Sequence, residues 1–180
     1  ITLGSDTNGS IRVPSSFCGV FGIKPTFGLV PRSPGFSPPS WASLAHTGPI
    51  ARTVADAALM LGVIAGHDAR DPGSLPLPAQ AYAASPAPLS GLRIAASADL
   101  GYAAVDAQVR AAFARALDAL ANLGAEIALE TPAVDPEILE STLKPIALTE
   151  QAAAANARPA GDFEQSDAEY RDVIAAGRRY

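Results

Sequence analysis

Glycine and proline punctuate the first fifty residues so densely that no long helix or strand fits between them. Seven of the 15 glycines and seven of the 16 prolines fall there. The same stretch holds only four charged side chains, Asp6, Arg12, Lys24 and Arg32. A turn-rich, nearly uncharged segment is suited to burial inside a larger body, not to a solvated surface. Almost all of the alanines, and the whole acidic surplus, lie after residue 50. The expectation is a piece of a bigger protein, with an interior opening segment and an outer, helical remainder.

The totals narrow the class further. A chain of 180 residues with 48% hydrophobic content can bury a substantial core and is too apolar to be a disordered segment. Its net charge of −5 and the lack of a Lys/Arg cluster argue against nucleic acid or an anionic membrane surface as partner. Cys18 is the single cysteine, which excludes an internal disulfide framework and fits a reducing, cytoplasmic setting. No apolar run approaches the ~18 residues of a membrane span.

The local pattern predicts an α/β fold, a mixed sheet flanked by helices, in one partial domain over 1–180. Residues 1–66 form an opening segment, 67–90 a Pro-rich connector, 91–131 a βαβ-like unit and 132–180 a helical segment. Residues 1–10 read as the end of a short strand entering a tight loop. Pro14 opens a helical turn through Phe17 that Gly19 ends. Val20–Lys24 reads as a short buried strand stopped by Pro25. Residues 30–40, with four prolines and three serines, read as an irregular loop of the kind that carries function.

Thr53 is expected to cap a helix with Asp56 three residues on. Val54, Ala57, Ala58, Leu61 and Ile64 share one face, and Gly66 stands where a C′ glycine belongs. In the βαβ-like unit, Leu92–Ala96 and Ala125–Leu129 are the strands. Asp106 caps the helix between them, Val109, Phe113, Ala116, Leu117 and Leu120 form its stripe, and Gly124 ends it. Another helix starts at Pro136 and runs, interrupted at Pro145, through the alanines at 152–155.

The stretch with most chemical content is Gly4-Ser5-Asp6-Thr7-Asn8-Gly9-Ser10-Ile11-Arg12. Three readings compete for it. A Walker A phosphate loop needs a lysine after its second glycine, where Ser10 stands. A nucleophile loop would let successive backbone N–H groups meet an oxyanion beside the Ser10 hydroxyl. The plain alternative is an ordinary Gly/Ser/Asn turn. In every reading, Asp6 and Arg12 can pair across the loop and fix its shape. A serine needs a base, and the residues name none. His46 can line a pocket, whereas His67 follows a helix end and reads as exposed. Nothing in the pattern ties either to Ser10 as a Ser–His–Asp triad, and Lys24 reads as structural.

Gly4 to Arg12, followed by Pro14, Cys18-Gly19, Gly22, Lys24-Pro25-Thr26, Gly28, Gly48-Pro49 and Ala51-Arg52-Thr53, resembles the amidase signature family. The match runs from residue 2 to about 66, continues more loosely through Leu92–Thr131, and is weakest over 132–180. The resemblance implies part of that family's α/β fold and hydrolysis of a carboxamide through a seryl acyl-enzyme. It implies Ser10 as nucleophile and the backbone N–H groups of Thr7, Asn8, Gly9 and Ser10 as oxyanion hole. Asn8 stands where the family most often has a second glycine. The family's base is a neutral lysine acting through a second serine in a cis peptide, both in segments upstream of the nucleophile. Alone, this chain is then expected to be inactive.

The resemblance also implies a small-molecule amide as substrate and neither cofactor nor metal. A homo-oligomer stays open. One alternative is the glutaminase (A-type) component of a tRNA-dependent amidotransferase. Another, of a different class, is a non-catalytic truncated fragment. Phe27, Phe36, Trp41 and His46 are candidate pocket residues.

Overall fold

The computed structural model describes residues 1–32, 44–78, 82, 88–156 and 165–180. They gather into two compact units: residues 1–84 with 145–180, and residues 85–144. Of the two residue boundaries between them, the one at Lys144/Pro145 falls within a helix.

The first unit is organised by a three-stranded antiparallel sheet. Its strands are β1 (Thr2–Asp6), β2 (Phe21–Gly22) and β3 (His46–Ala51), in the order β1-β3-β2. β1 and β3 pair from Thr2↔Ile50 to Asp6↔His46. The strand expected over Val20–Lys24 shrinks to two half-buried residues, and Pro49 explains why. Ile23 N–H donates to the Pro49 carbonyl at 3.1 Å, but Pro49 has no N–H to return, so the β2 side of the ladder stops there.

Between β1 and β2 lies the short helix α1 (Arg12–Cys18), which starts two residues before Pro14 and ends at Gly19, φ +62°. Ser15 is buried in it and donates from Oγ to the Ile11 carbonyl at 2.7 Å. Helix α2 (Val54–Ile64) is capped by Thr53, whose side chain accepts from Asp56 N–H at 3.1 Å. Of its expected stripe, Ala57 and Leu61 are buried, Ala58 and Ile64 are half-buried, and Val54 is exposed in the first turn. Leu61 and Ala65 pack with Val30 into a core that Ile23, Leu29 and Ile64 flank.

Helix α4 (Pro136–Asn156) contains Pro145 without being broken by it; Thr149 donates from Oγ1 to the Pro145 carbonyl at 2.7 Å. Its alanines Ala152 and Ala155 form a second small core with Ile174 of α5 (Ala168–Gly177), which lies within the 132–180 segment expected to be helical.

In the second unit the elements follow in the order strand, helix, strand. β4 (Arg93–Ala96) and β5 (Glu126–Leu129) pair in parallel, Ile94 opposite Ile127. Helix α3 (Ala107–Asn122) connects them, with Asp106 accepting from Gln108 N–H at 2.7 Å. The stripe on α3 is only half-buried at Phe113, Leu117 and Leu120, and Val109 and Ala116 are exposed.

Three glycines of the first unit share a neighbour in Ile11. Ile11 is fully buried, and its side chain lies in a slot floored by glycines from all three strands. A methyl group at Gly4 would meet Ile11 Cγ1 at 2.9 Å, at Gly22 Ile11 Cγ2 at 3.0 Å and at Gly48 Ile11 Cδ1 at 3.3 Å. At Gly48 it would also collide with the Ile23 carbonyl, a backbone atom with little room to move. Gly48→Ala is therefore expected to cost about 3 kcal/mol in urea unfolding, the upper end for overpacking. Gly19→Ala, left-handed but with open space around it, should cost about 1 kcal/mol. An equal or smaller loss at Gly48 would refute the slot.

Candidate active site

β1 delivers the chain into the loop at Asp6, whose side chain is fully buried. A buried carboxylate must be satisfied where it sits, and Asp6 is satisfied entirely by the loop that follows. Its Oδ1 accepts from Gly9 N–H at 2.6 Å, and its Oδ2 from Ile11 N–H at 3.2 Å and Arg12 N–H at 3.3 Å. Arg12 adds a two-pronged ion pair, Nε to Oδ2 and Nη2 to Oδ1, both at 3.0 Å. The Arg12 guanidinium, with those three backbone N–H groups, holds the Asp6 carboxyl well below the usual carboxylate range despite burial. Arg12 itself is half-exposed, so the charge pair is anchored at its carboxylate end.

Gly9 allows the chain to turn. It has φ +111°, and a Cβ there would meet Val13 Cγ2 at 2.9 Å. Its carbonyl accepts from Val13 N–H at 2.7 Å, joining the loop to α1. Ser10 follows and is exposed.

Of the four backbone donors expected to face an oxyanion, Gly9 N–H is committed to Asp6. The N–H groups of Thr7, Asn8 and Ser10 have no acceptor among the described residues. The loop thus offers an exposed hydroxyl flanked by uncommitted main-chain donors, with a shape set from beneath by one carboxylate.

Neither histidine is bonded to Ser10. His46 is half-buried and its Nδ1 lies 3.2 Å from the Asp6 carbonyl oxygen. Its ring stands edge-on to Phe27, centroids 5.5 Å apart. His67 is exposed. Lys24 donates from Nζ to the Pro25 carbonyl at 3.2 Å, and Lys144 pairs with Glu140 one turn back on α4. Phe36 and Trp41, with residues 33–39 of the Pro-rich loop, lie outside the described residues. Among the described residues no three His, Cys, Asp or Glu side chains group as metal ligands, and no helix is long and apolar enough to cross a membrane.

One buried polar cluster escaped the sequence reading. Arg32 is 5% exposed and donates from Nη1 to Thr47 Oγ1 at 3.0 Å, while its backbone N–H donates to Asp71 Oδ2 at 2.6 Å. Burial lowers the Arg32 pKa, against the opposing pull of Asp71 and Glu150. Thr47 lies opposite Ser5 in the β1–β3 ladder, so this cluster buttresses the strand that carries the loop. The available signal was the isolation of Arg32 in a charge-poor segment, because a lone buried charge requires a partner.

Fold and loop together define an α/β protein that presents a serine on a carboxylate-braced turn at the end of β1. The model of the family described as Amidase matches residues 1–179, so the chain belongs to the amidase signature family. It is similar to the A-type component of the glutamyl-tRNA(Gln) amidotransferase of Nostoc punctiforme, 47% identical over 132 residues, covering 71% of this chain and 26% of that protein. It is similar also to an acylamidase of Rhodococcus erythropolis, 45% identical over 130 residues, covering 72% and 27%. Among solved structures, 6-aminohexanoate cyclic dimer hydrolase aligns with a TM-score of 0.78 at 30% identity, covering 98% of this chain and 39% of the other. The chain spans about a quarter of the length of the curated relatives it matches.

The Asp6 hub predicts a pH signature. A carboxyl depressed in the folded state contributes stability that is fully present above its unfolded pKa of about 4 and is lost as pH falls through the folded value. Asp6→Asn should cost about 2–4 kcal/mol at pH 7, with the penalty shrinking below pH 4 in urea titrations. Arg12→Ala, at the exposed end of the pair, should cost about 1 kcal/mol. A penalty at Asp6 that is independent of pH would contradict the assignment.

Proposed function

We propose that this chain carries the nucleophile segment of an amide hydrolase. Ser10 Oγ attacks the carbonyl carbon of a carboxamide, the C–N bond breaks, ammonia or an amine leaves, and water hydrolyses the resulting acyl-serine to the carboxylate. The observation behind this reading is the exposed Ser10 hydroxyl beside the uncommitted N–H groups of Thr7, Asn8 and Ser10. Aimed at the developing oxyanion, each such donor is worth about 10²–10³ in kcat. Because they are main-chain groups, Asn8 in place of a glycine leaves its donor intact. Gly9 shapes the loop through φ and its bond to Asp6, and its N–H is not a free donor in this arrangement.

The hydroxyl proton needs a base. Neither lysine of the chain is engaged with Ser10, since Lys24 and Lys144 are held elsewhere. In the family's scheme the proton passes through a second serine to a neutral lysine, and returns along the same path to the leaving amine. Both groups would come from other segments of the full-length protein. On this reading the 180 residues alone carry the nucleophile and its oxyanion donors but no turnover.

A second reading has support from the relatives named as A-type components of a glutamyl-tRNA(Gln) amidotransferase. The same serine would then release ammonia from glutamine for use by a partner protein. The similarity to both kinds of relative is of the same order. Activity on amides at large with no copurifying partner would favour the free-standing amidase. Activity confined to glutamine, in a stable complex, would favour the amidotransferase component.

A fluorophosphonate should label the full-length protein at Ser10, and Ser10→Ala should abolish both label and amide turnover. No label at Ser10 in the folded full-length protein would overturn the proposal. The isolated 180 residues should hydrolyse no amide; turnover lost on Ser10→Ala would show instead that they hold a base of their own.

A further inference from the structure

We infer that His46 is a positioning residue for the Ser10 loop, fixing the direction of the Thr7 N–H through the Asp6 carbonyl. The inference rests on the reading of Thr7 as an oxyanion donor. Asp6 is the last residue of β1 paired with β3, and its partner in register is His46. Beyond Asp6 the ladder ends, and the first peptide of the loop is the one joining Asp6 to Thr7.

A trans peptide is planar, with its C=O and N–H pointing in opposite directions. Whatever holds the Asp6 carbonyl therefore aims the Thr7 N–H. His46 Nδ1 stands 3.2 Å from that carbonyl oxygen. A carbonyl can only accept, so the ring must carry its proton on Nδ1. Besides orienting the peptide, this bond polarises it and makes the Thr7 N–H a better donor.

The ring is held in turn. Phe27 meets it edge-on at 5.5 Å with the planes 78° apart. Phe27 sits inside a turn closed by Leu29 N–H on the Thr26 carbonyl at 3.1 Å. Next to it Gly28, at φ +77°, lies so close to the Gly73 carbonyl that no side chain fits. The Lys24-Pro25-Thr26 landmark and the turn near Gly73 thus bear on the Ser10 loop through one aromatic contact and one hydrogen bond. Asp6 is held twice: its carboxylate by residues 9, 11 and 12, its carbonyl by His46.

The positioning role and a base role for His46 make opposite predictions for asparagine. The side-chain amide of Asn can supply an N–H near the place of Nδ1 but cannot take up a proton at working pH. In the full-length protein, His46→Leu should slow fluorophosphonate labelling of Ser10 and lower kcat on an amide by about 10-fold. That is less than the outright loss of an oxyanion donor, and KM should change by less than about twofold. His46→Asn should restore both rates to within about threefold of the unsubstituted protein. Labelling of His46→Leu at the unsubstituted rate would overturn the inference, and so would His46→Asn as slow as His46→Leu. If His46→Leu does not fold, the His46→Asn rates decide alone: near-normal rates support positioning, and a loss of 10-fold or more refutes it. An unsubstituted protein that takes no label at Ser10 defeats the proposed function, which is a separable result.

Discussion

Everything distinctive about the Ser10 loop depends on the buried Asp6 carboxylate. A charge removed from water on a strand end must find several donors or raise its pKa and neutralise. Asp6 finds five, all from the seven-residue stretch that ends at Arg12. Satisfying it leaves the backbone little freedom over residues 9–12, and the serine is carried within that constraint. The charge that would be a liability in a core is thereby the device that shapes the turn.

Around this hub the packing is arranged so that neighbouring chains can come close. Ile11 is the apolar counterpart of Asp6, one residue past the serine and fully buried. Gly4, Gly22 and Gly48 give it room on three strands. Arg32 bonds to Thr47 of β3, and Asp71 accepts from the Arg32 backbone N–H. The loop is thus supported by a carboxylate from beneath and by a close-packed isoleucine behind, with a second buried ionic cluster holding the central strand.

Much of this was legible in the sequence where a single residue type has a single physical use. Thr53 and Asp106 announced their helices as caps, and Gly19, Gly66 and Gly124 marked chain reversals with positive φ. The parallel β4–β5 pair followed from two short apolar runs around an amphipathic helix. What depended on distant partners was not legible. Val20–Lys24 looked like a strand because its residues suit one, but its ladder is cut by a proline far along the chain, in β3. Arg32 looked like a loop residue because Asp71 and Thr47 approach it only in three dimensions. Of the loop itself, the Asp6–Arg12 pairing was readable, whereas the commitment of Gly9 N–H to Asp6 and the grip of His46 on the Asp6 carbonyl were not.

The two supports of the serine differ in reach along the chain. Every partner of the Asp6 carboxylate lies within six residues of it, so closing that loop costs little chain entropy. The slot around Ile11 must wait for β3 to arrive across a far longer span. In folding, the turn is therefore the early, local event and its seat the late, cooperative one. Damage to the sheet would unseat a serine loop whose own curvature still survives, so a chain can keep the outline of its active-site turn after losing the framework that makes it rigid.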